Sequence, residues 1–585
     1  MKKMKKILTI ASILAVGLTS CGDWLDLEPE NAVTAEKYWL TESDVESAMM
    51  GIYSGWIGSA SSIWEQSEVR GDMMMPAASY KVDYRLILEG NITSTNSLVS
   101  WLKYYTIINN CNLLLERSGN ALANDPSYTV TQDSIYHAEA RVVRALMYFY
   151  LIRLWKDVPF ITKAYYDDTV ERNVGVSSQM NILNALISDL ENVQSEGNLP
   201  YSYSAVSSDK AKNKGQVTMY MLKALLADMY RMKGSYETNL EASQAAYKKC
   251  VELCDAIIGS GQYALVPFAK SSAVESYLDL SELDNKADSS FYVLTDITPD
   301  DWFTSLYVNG NSSESIMELQ EGSANYNSSG FYTLIISPSY YAPYYDNLQN
   351  TLFPPTEKEL ALSYQYRDVR LAMNYGVYSG TPLMWKYAGL AFDKSSVCTD
   401  VTAFKKNVII YRLAEIYLMK AEALTQIAMA NSDDQSMLLE AYRAVFKVRD
   451  RASAVETTDL QLGSGDYMQD LYWEELRNES PIELKSGEKI LGTAMEKFVL
   501  DEEAREMAYE GRRWFDMLRN AERNSEGKGS CTGGNVSYLR YYTTSDKMAY
   551  IAGQMKKADF RYFPYPYQDV SLNDNLDQKP FWGTE

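Results

Sequence analysis

"SIYHAEARVVRALMYFYLIRLWKDVPFI", residues 134–161, repeats apolar side chains at three- and four-residue steps and stops at a proline. Ala138, Val142, Ala145, Leu146, Phe149 and Ile152 share one helical face, while Arg141, Arg144 and Tyr148 fall on another. Such a stripe stabilises a helix only when another element covers it. Lys156, Asp157, Val158 and Pro159 end the pattern, because proline drives the residue before it out of helical geometry. Residues 408–428 repeat the design with Ile410, Leu413, Ala414, Tyr417, Ala421 and Leu424. The same periodicity predicts helices at 42–56, 97–118, 178–194, 216–233, 242–259, 433–450 and 500–522.

The predicted helices come in consecutive pairs. ALLADMYRMKGSY (224–236), with Ala227 and Tyr230 at small and aromatic packing positions, precedes a second helix around AAYKKCVELC (245–254). That pairing is similar to a tetratricopeptide unit, about 34 residues long, which buries its faces by stacking on neighbours. Insertions such as ETNLEAS (237–243) break the period. Residues 262–407 lose the helical pattern among turn residues and aromatic clusters, with strand character around Ile316 to Leu319. The expected fold is mainly α, a tetratricopeptide-like superhelix of helix pairs with long irregular, aromatic-rich insertions and minor β structure. Its scaffold covers about 42–260 and 408–522, within one domain spanning 42–585. A glycine-rich stretch, NSEGKGSCTGGN (524–535), lacks the GK[ST] ending of a phosphate loop and reads as a linker.

Composition narrows function. A net charge of -22 makes the average surface repel polyanions, so nucleic acid is a poor ligand unless a local basic patch intervenes. His137 is the only histidine, which excludes multi-histidine metal centres, and its helical setting reads as a surface or packed position. Cys111, Cys250, Cys254, Cys398 and Cys531 form no visible disulfide framework and read mostly as small buried hydrophobes. Cys250 and Cys254 have no companion ligands at zinc spacing, and no metal or cofactor is expected.

The chain starts with the cationic MKKMKK and an apolar run from Ile7 to Leu18, too short to span a bilayer as a helix. Residues 1–20 read as a secretion signal. LTSC (18–21) resembles a bacterial lipoprotein box, which would leave Cys21 first and acylated, with 21–41 as a tether to the membrane. Several acyl chains on one residue anchor a protein stably where one would be marginal.

Five stretches together resemble the SusD/RagB family of surface lipoproteins. CGDWLDLEPEN (21–31) looks like the family's CxDxLDxxP start. ARVVRALMYFYLIRLWKDVPFI (140–161) looks like its RAxxYFxLxxxxGDVP helix, with Lys156 where glycine is usual, and VIIYRLAEIYLMKAEAL (408–424) is similar to its RxAExxLxxAEA helix. DEEAREMAYEGRRWFDMLR (501–519) is similar to its ERxxExxxEGxRWFDLxR signature, with Glu503 where arginine is usual. FPYPYQDVSLNDNLDQKPFW (563–582) looks like its ending, with Asp574 replacing a proline. In the signature, Arg513 beside Trp514 suggests a cation–π contact, and the motif reads as scaffold, not ligand site.

The resemblance implies a non-catalytic, cell-surface, outer-membrane lipoprotein. Such a protein captures oligosaccharides for a TonB-dependent SusC-like transporter, or peptides in the RagB manner. A surface glycoside hydrolase is the rival reading; it needs only a pair of carboxylates, and 77 acidic residues make pairs trivially available. With 46 tyrosines and 11 tryptophans the chain is rich in flat amphipathic rings that can cover a sugar face while short polar groups bind its edge. These ingredients concentrate in GDMMMPAASYKVDYR (71–85), DDWFTSLYVNGNSS (300–313) and NYNSSGFYTLIISPSYYAPYYDN (325–347). The expected ligand-binding residues are Tyr80, Trp302, Tyr326, Tyr332, Tyr340, Tyr341 and Tyr344.

Overall fold

The protein is described by a computed structural model over residues 38–76, 82–166, 173–204, 210–266, 277–279, 290–292, 300–321, 341–343, 370–379, 381–391, 396–397, 406–452, 489–524 and 553–583. The major helices are α1 (Glu42–Glu68), α2 (Leu102–Asn124), α3 (Val130–Trp155), α4 (Gln179–Glu196), α5 (Met219–Tyr236) and α6 (Leu240–Ile258). After the long insertion come α7 (Leu413–Ala430), α8 (Gln435–Arg451), α9 (Gly492–Glu506) and α10 (Arg513–Arg523). Their starts follow from local chemistry. Thr41 with Asp44 and Thr129 with Gln132 form reciprocal capping boxes that satisfy orphan N–H groups of α1 and α3. Ser178, Thr218 and Asn239 cap α4, α5 and α6 with a side-chain oxygen.

Each helix packs on its sequence neighbour, and α6 packs on α7 although residues 259–412 lie between them. The stack therefore continues across the insertion. Within the α5–α6 hairpin the helices approach closely, because a Cβ added at Gly234 would lie 2.8 Å from the Tyr247 ring. The Tyr247 and Ser235 hydroxyls then hydrogen-bond across the pair at 2.9 Å. The close small-against-aromatic contact is thus between Gly234 and Tyr247, while Ala227 and Tyr230, the residues expected at such positions, are both buried on α5.

Strands occur as antiparallel two-stranded ladders: β1 (Met74–Pro76) with β7 (Tyr341–Pro343), β2 (Val158–Pro159) with β3 (Val176–Ser177), and β4 (Tyr277–Asp279) with β5 (Ser290–Tyr292). The others are β6 (Ser315–Leu319) with β10 (Val408–Arg412), and the hairpin β8 (Tyr375–Tyr378) with β9 (Thr381–Met384). The predicted strand at 316–319 is thus present. Two predicted helices are corrected. Residues 408–412 pair with β6, and only from Leu413 does the chain turn helical; a short apolar run buried on both faces fits either period. The predicted 500–522 helix is two, because Tyr509 and Gly511 take left-handed backbone angles, φ 63° and 73°. A Cβ at Gly511 would sit 2.9 Å from Ser67 Oγ, so the break also needs a residue without one.

Helix α3 is buried all round over its C-terminal turns, so Tyr148, assigned to the opposite face, lies in the core with its hydroxyl donating to Ile161 O at 2.7 Å. Arg141 and Arg144 reach Asp189 of α4 instead. His137 packs at the helix flank, 2.7 Å from Ser118 Oγ. Cys111, Cys250 and Cys254 are free and buried, as hydrophobes would be; Cys398 and Cys531 lie outside the described residues, as does the 525–535 part of the glycine-rich stretch. Lys156, at the usual glycine position, has φ 67° and ψ -94°, a conformation that explains why glycine suits the site. No helix among the described residues is long and apolar enough to cross a membrane.

Candidate functional site

The 501–519 signature forms a buried ionic hub. Glu510 accepts from Arg412 at 2.8 and 2.9 Å and from Lys386 at 2.9 Å, and the Tyr307 hydroxyl donates to it at 3.2 Å. The Gly511 N–H donates to Glu68 of α1 at 3.0 Å. Arg513 grips Asp72 through two bonds of 2.8 and 2.9 Å. Arg512 pairs with Glu415, and Arg519 with Glu422 at 2.6 Å. Two parallel N–H···O contacts make such guanidinium–carboxylate pairs directional as well as strong. The cation over Trp514 is Arg70, 4.1 Å from the ring centroid, and not Arg513, whose guanidinium is turned to Asp72. Glu503, at the usual arginine position, accepts from Arg231 of α5 at 2.8 Å.

The same hub holds the irregular insertion. Glu314, just before β6, meets Arg412 at 2.7 Å and also Arg451. Arg370 reaches Glu502 at 2.6 Å and Glu506 at 3.1 Å, and the Lys386 ammonium donates to Glu506 O at 2.7 Å. All of these charges are nearly or wholly buried. Burying isolated charges is prohibitive, so the segments bearing Glu314, Arg370 and Lys386 are positioned by meeting opposite charges at Arg412, Arg451, Glu502, Glu506 and Glu510. Sequence reasoning did not single out Glu314, Arg370 or Lys386. The signal was a charge embedded in an apolar run, as in ESIMEL (314–319) and MWKYAGL (384–390).

The electrostatics follow from that pairing. Burial alone would raise the Glu510 carboxyl, but Arg412 and Lys386 outweigh it and hold it down to about 2. Burial is likewise overcome at Glu506, where Arg451, Arg412 and Arg370 keep the carboxyl far below its usual range. Glu503 goes the other way, raised by burial and by neighbouring Asp516 and Glu422. Glu502, Glu506 and Glu510 are therefore fixed structural anions, each committed to guanidinium or ammonium groups, and offer no proton to a substrate. Among the described residues no group of three or more His, Cys, Asp or Glu side chains is set to hold a metal ion.

The β1–β7 ladder brings two of the aromatic-rich segments together, with Met74 opposite Pro343 and Pro76 opposite Tyr341. Hairpin β8–β9 lies beside β7, and its tip exposes Val377 and Tyr378. Tyr341 is thus on a strand next to the segment that leads to Tyr80. Tyr80, Tyr326, Tyr332, Tyr340 and Tyr344 lie outside the described residues, as does Cys21. Trp302 is corrected: it is 1% exposed, with the Arg451 guanidinium 4.4 Å from its ring centroid. A ring already covered by protein on that face belongs to the interior, not to a stacking surface.

The fold and hub define a class: a helical-repeat scaffold whose aromatic-rich insertion is anchored by buried ion pairs. The sequence profile of the SusD family matches residues 192–582, and a second, described as starch-binding associating with outer membrane, matches residues 23–208. The chain belongs to the SusD family. It is 25% identical over 537 residues to SusD-like protein P38 of Formosa agariphila, covering 89% of this chain and 92% of that protein. SusD-like protein P25 of the same organism is 24% identical, over 75% of this chain and 80% of that one. A SusD homolog of Bacteroides thetaiotaomicron has the same fold, with a TM-score of 0.63 at 17% identity over 94% of this chain and 98% of that one. A laminarin-binding SusD-like protein superposes with a TM-score of 0.55 at 17% identity, over 92% and 99% of the two chains.

Proposed function

We propose that this protein is a non-catalytic, surface-exposed glycan-binding lipoprotein of the outer membrane, anchored through Cys21, that captures oligosaccharides for a SusC-like TonB-dependent transporter. The observation that carries the reading is the β1–β7 ladder, which joins the 71–85 and 325–347 aromatic segments in a chain of the SusD family. Support comes also from the laminarin-binding relative of the same fold. In this reading the ligand lies against Tyr80, Tyr326, Tyr332, Tyr340, Tyr341 and Tyr344, whose rings cover sugar C–H faces while neighbouring Asn, Ser and Asp groups meet the hydroxyls.

Affinity electrophoresis through immobilised neutral glycans, laminarin among them, tests the reading. Binding should weaken about 3- to 10-fold for each of Tyr80→Ala and Tyr341→Ala, the worth of one aromatic contact. Retention of peptides but no glycan would favour peptide capture, and turnover of a labelled oligosaccharide would favour the hydrolase. Mild detergent extraction should recover a large β-barrel with the wild type, and Cys21→Ala should free the protein from the membrane.

A further inference from the structure

A basic stretch of this acidic chain lies at the start of α5, against β6 of the insertion. KAKNKGQVTMYMLK (210–223) carries Lys210, Lys212, Lys214 and Lys223 and no acidic residue. Three tyrosines line up beside it. Tyr201 meets Tyr220 edge-on with centroids 5.1 Å apart, and Tyr220 meets Tyr263 at 5.4 Å and 89°. Tyr201 is 57% exposed. The Lys223 ammonium lies 5.8 Å from the Tyr201 centroid and 6.0 Å from that of Tyr220, and has no carboxylate partner among the described residues. Lys214 sits 4.3 Å from the Tyr263 centroid and donates to Ser315 O.

The loop bearing Tyr201 is built to hold still. Met219 N–H donates to Pro200 O at 3.0 Å. Asn213 Oδ1 accepts from Tyr203 N, Ser204 N and Ser202 Oγ, each at 2.9 Å, and the Tyr203 hydroxyl donates to Val217 O at 2.6 Å. An exposed ring on a fixed loop loses little conformational freedom when a ligand covers it. A ring face beside a lysine amine matches one chemistry closely: a sugar ring stacked on tyrosine with a carboxylate or sulfate group turned to the amine.

We propose that Tyr201, Tyr220 and Lys223 form a second saccharide subsite, selective for anionic sugar residues, on the helical scaffold. The inference rests on the glycan-binding reading and adds a ligand class to it. The full-length protein would be titrated with oligogalacturonate, with a sulfated galactan oligosaccharide and with neutral dextran at low and at physiological salt. At least one anionic probe should bind, more weakly as salt screens the charge. Lys223→Gln should weaken it about 2- to 5-fold, and Tyr201→Ala about 3- to 10-fold; both variants should keep the wild-type circular dichroism spectrum. Which probe responds tells uronate from sulfate. The proposal is overturned if neither anionic probe binds, if both variants bind as wild type does, or if only vesicles of phosphate-bearing lipid respond to Lys223→Gln. Neutral glycans bound while anionic probes fail would sink this subsite alone, and no glycan bound at all would sink the capture function with it.

Discussion

Removing Arg412 tests whether the irregular insertion is held by charge. Its guanidinium, fully buried, holds Glu314 and Glu506 at 2.7 Å and Glu510 at 2.8 Å. Arg412→Met keeps the length and the apolar stem and deletes the cation. Breaking one buried pair costs about 3 to 5 kcal/mol, because a carboxylate is left desolvated and uncompensated. Three carboxylates lose a partner here, but none is abandoned. Arg451 still serves Glu314 and Glu506, Arg370 serves Glu506 at 3.1 Å, and Lys386 serves Glu510 at 2.9 Å. The expected loss is therefore about 3 to 5 kcal/mol in total, not three times that. Glu510 supplies an independent check. Its carboxyl is lowered from 4.5 to about 2, chiefly against burial by Arg412 and Lys386. A lowered carboxyl contributes stability that is present above its unfolded value and lost as pH falls toward its folded one. The gap between Arg412→Met and wild type should accordingly be full above about pH 5 and narrow toward pH 3. Urea unfolding at several pH values measures it, and hydrogen exchange should show lost protection at 314–319 and 506–510. Adding Glu510→Gln should restore part of the loss, as a double-mutant cycle for coupled residues requires. A loss under about 1 kcal/mol, the size of an exposed pair, would refute the argument.

Glu139 offers the opposite sign. Fully buried, it accepts from the Tyr53 hydroxyl at 2.5 Å and forms no ion pair among the described residues, and burial raises its carboxyl from 4.5 to about 7. Stability should therefore be lost as pH rises from about 4.5 through 7, and Glu139→Gln should gain about 2 to 3 kcal/mol on wild type between pH 5 and pH 8, read by urea unfolding; an equal effect at both pH values would refute it. Lys156→Gly should stabilise by about 1 kcal/mol, because a non-glycine residue at φ 67° carries strain that glycine lacks; unchanged or lowered thermal stability would show that the lysine stem compensates.

Helix-forming stretches and their pairing were legible because amphipathic periodicity is local: α3, α5 and α6 lie where residues 134–155, 216–233 and 242–259 predict them, give or take a turn. The 408–412 strand was not legible, since the apolar run VIIY (408–411) fits either period and only pairing with β6 chooses between them. For Trp302 the composition around it suggested a ligand face, but exposure is a property of the assembled fold, and Arg451, 149 positions later in the chain, covers it. Glycine in EGRRWFD could have warned of the break between α9 and α10.

Sequence alone determined that this is a stack of paired helices with an aromatic-rich interruption, because apolar spacing and turn chemistry act over a few residues. It also marked the chain as similar to SusD proteins through motifs spread from residue 21 to residue 582. The tertiary structure decided which charges meet. Arg412, Glu314, Arg370, Lys386 and Glu510 are far apart in sequence, and nothing local tells a solvated charge from one that folding will bury against a partner.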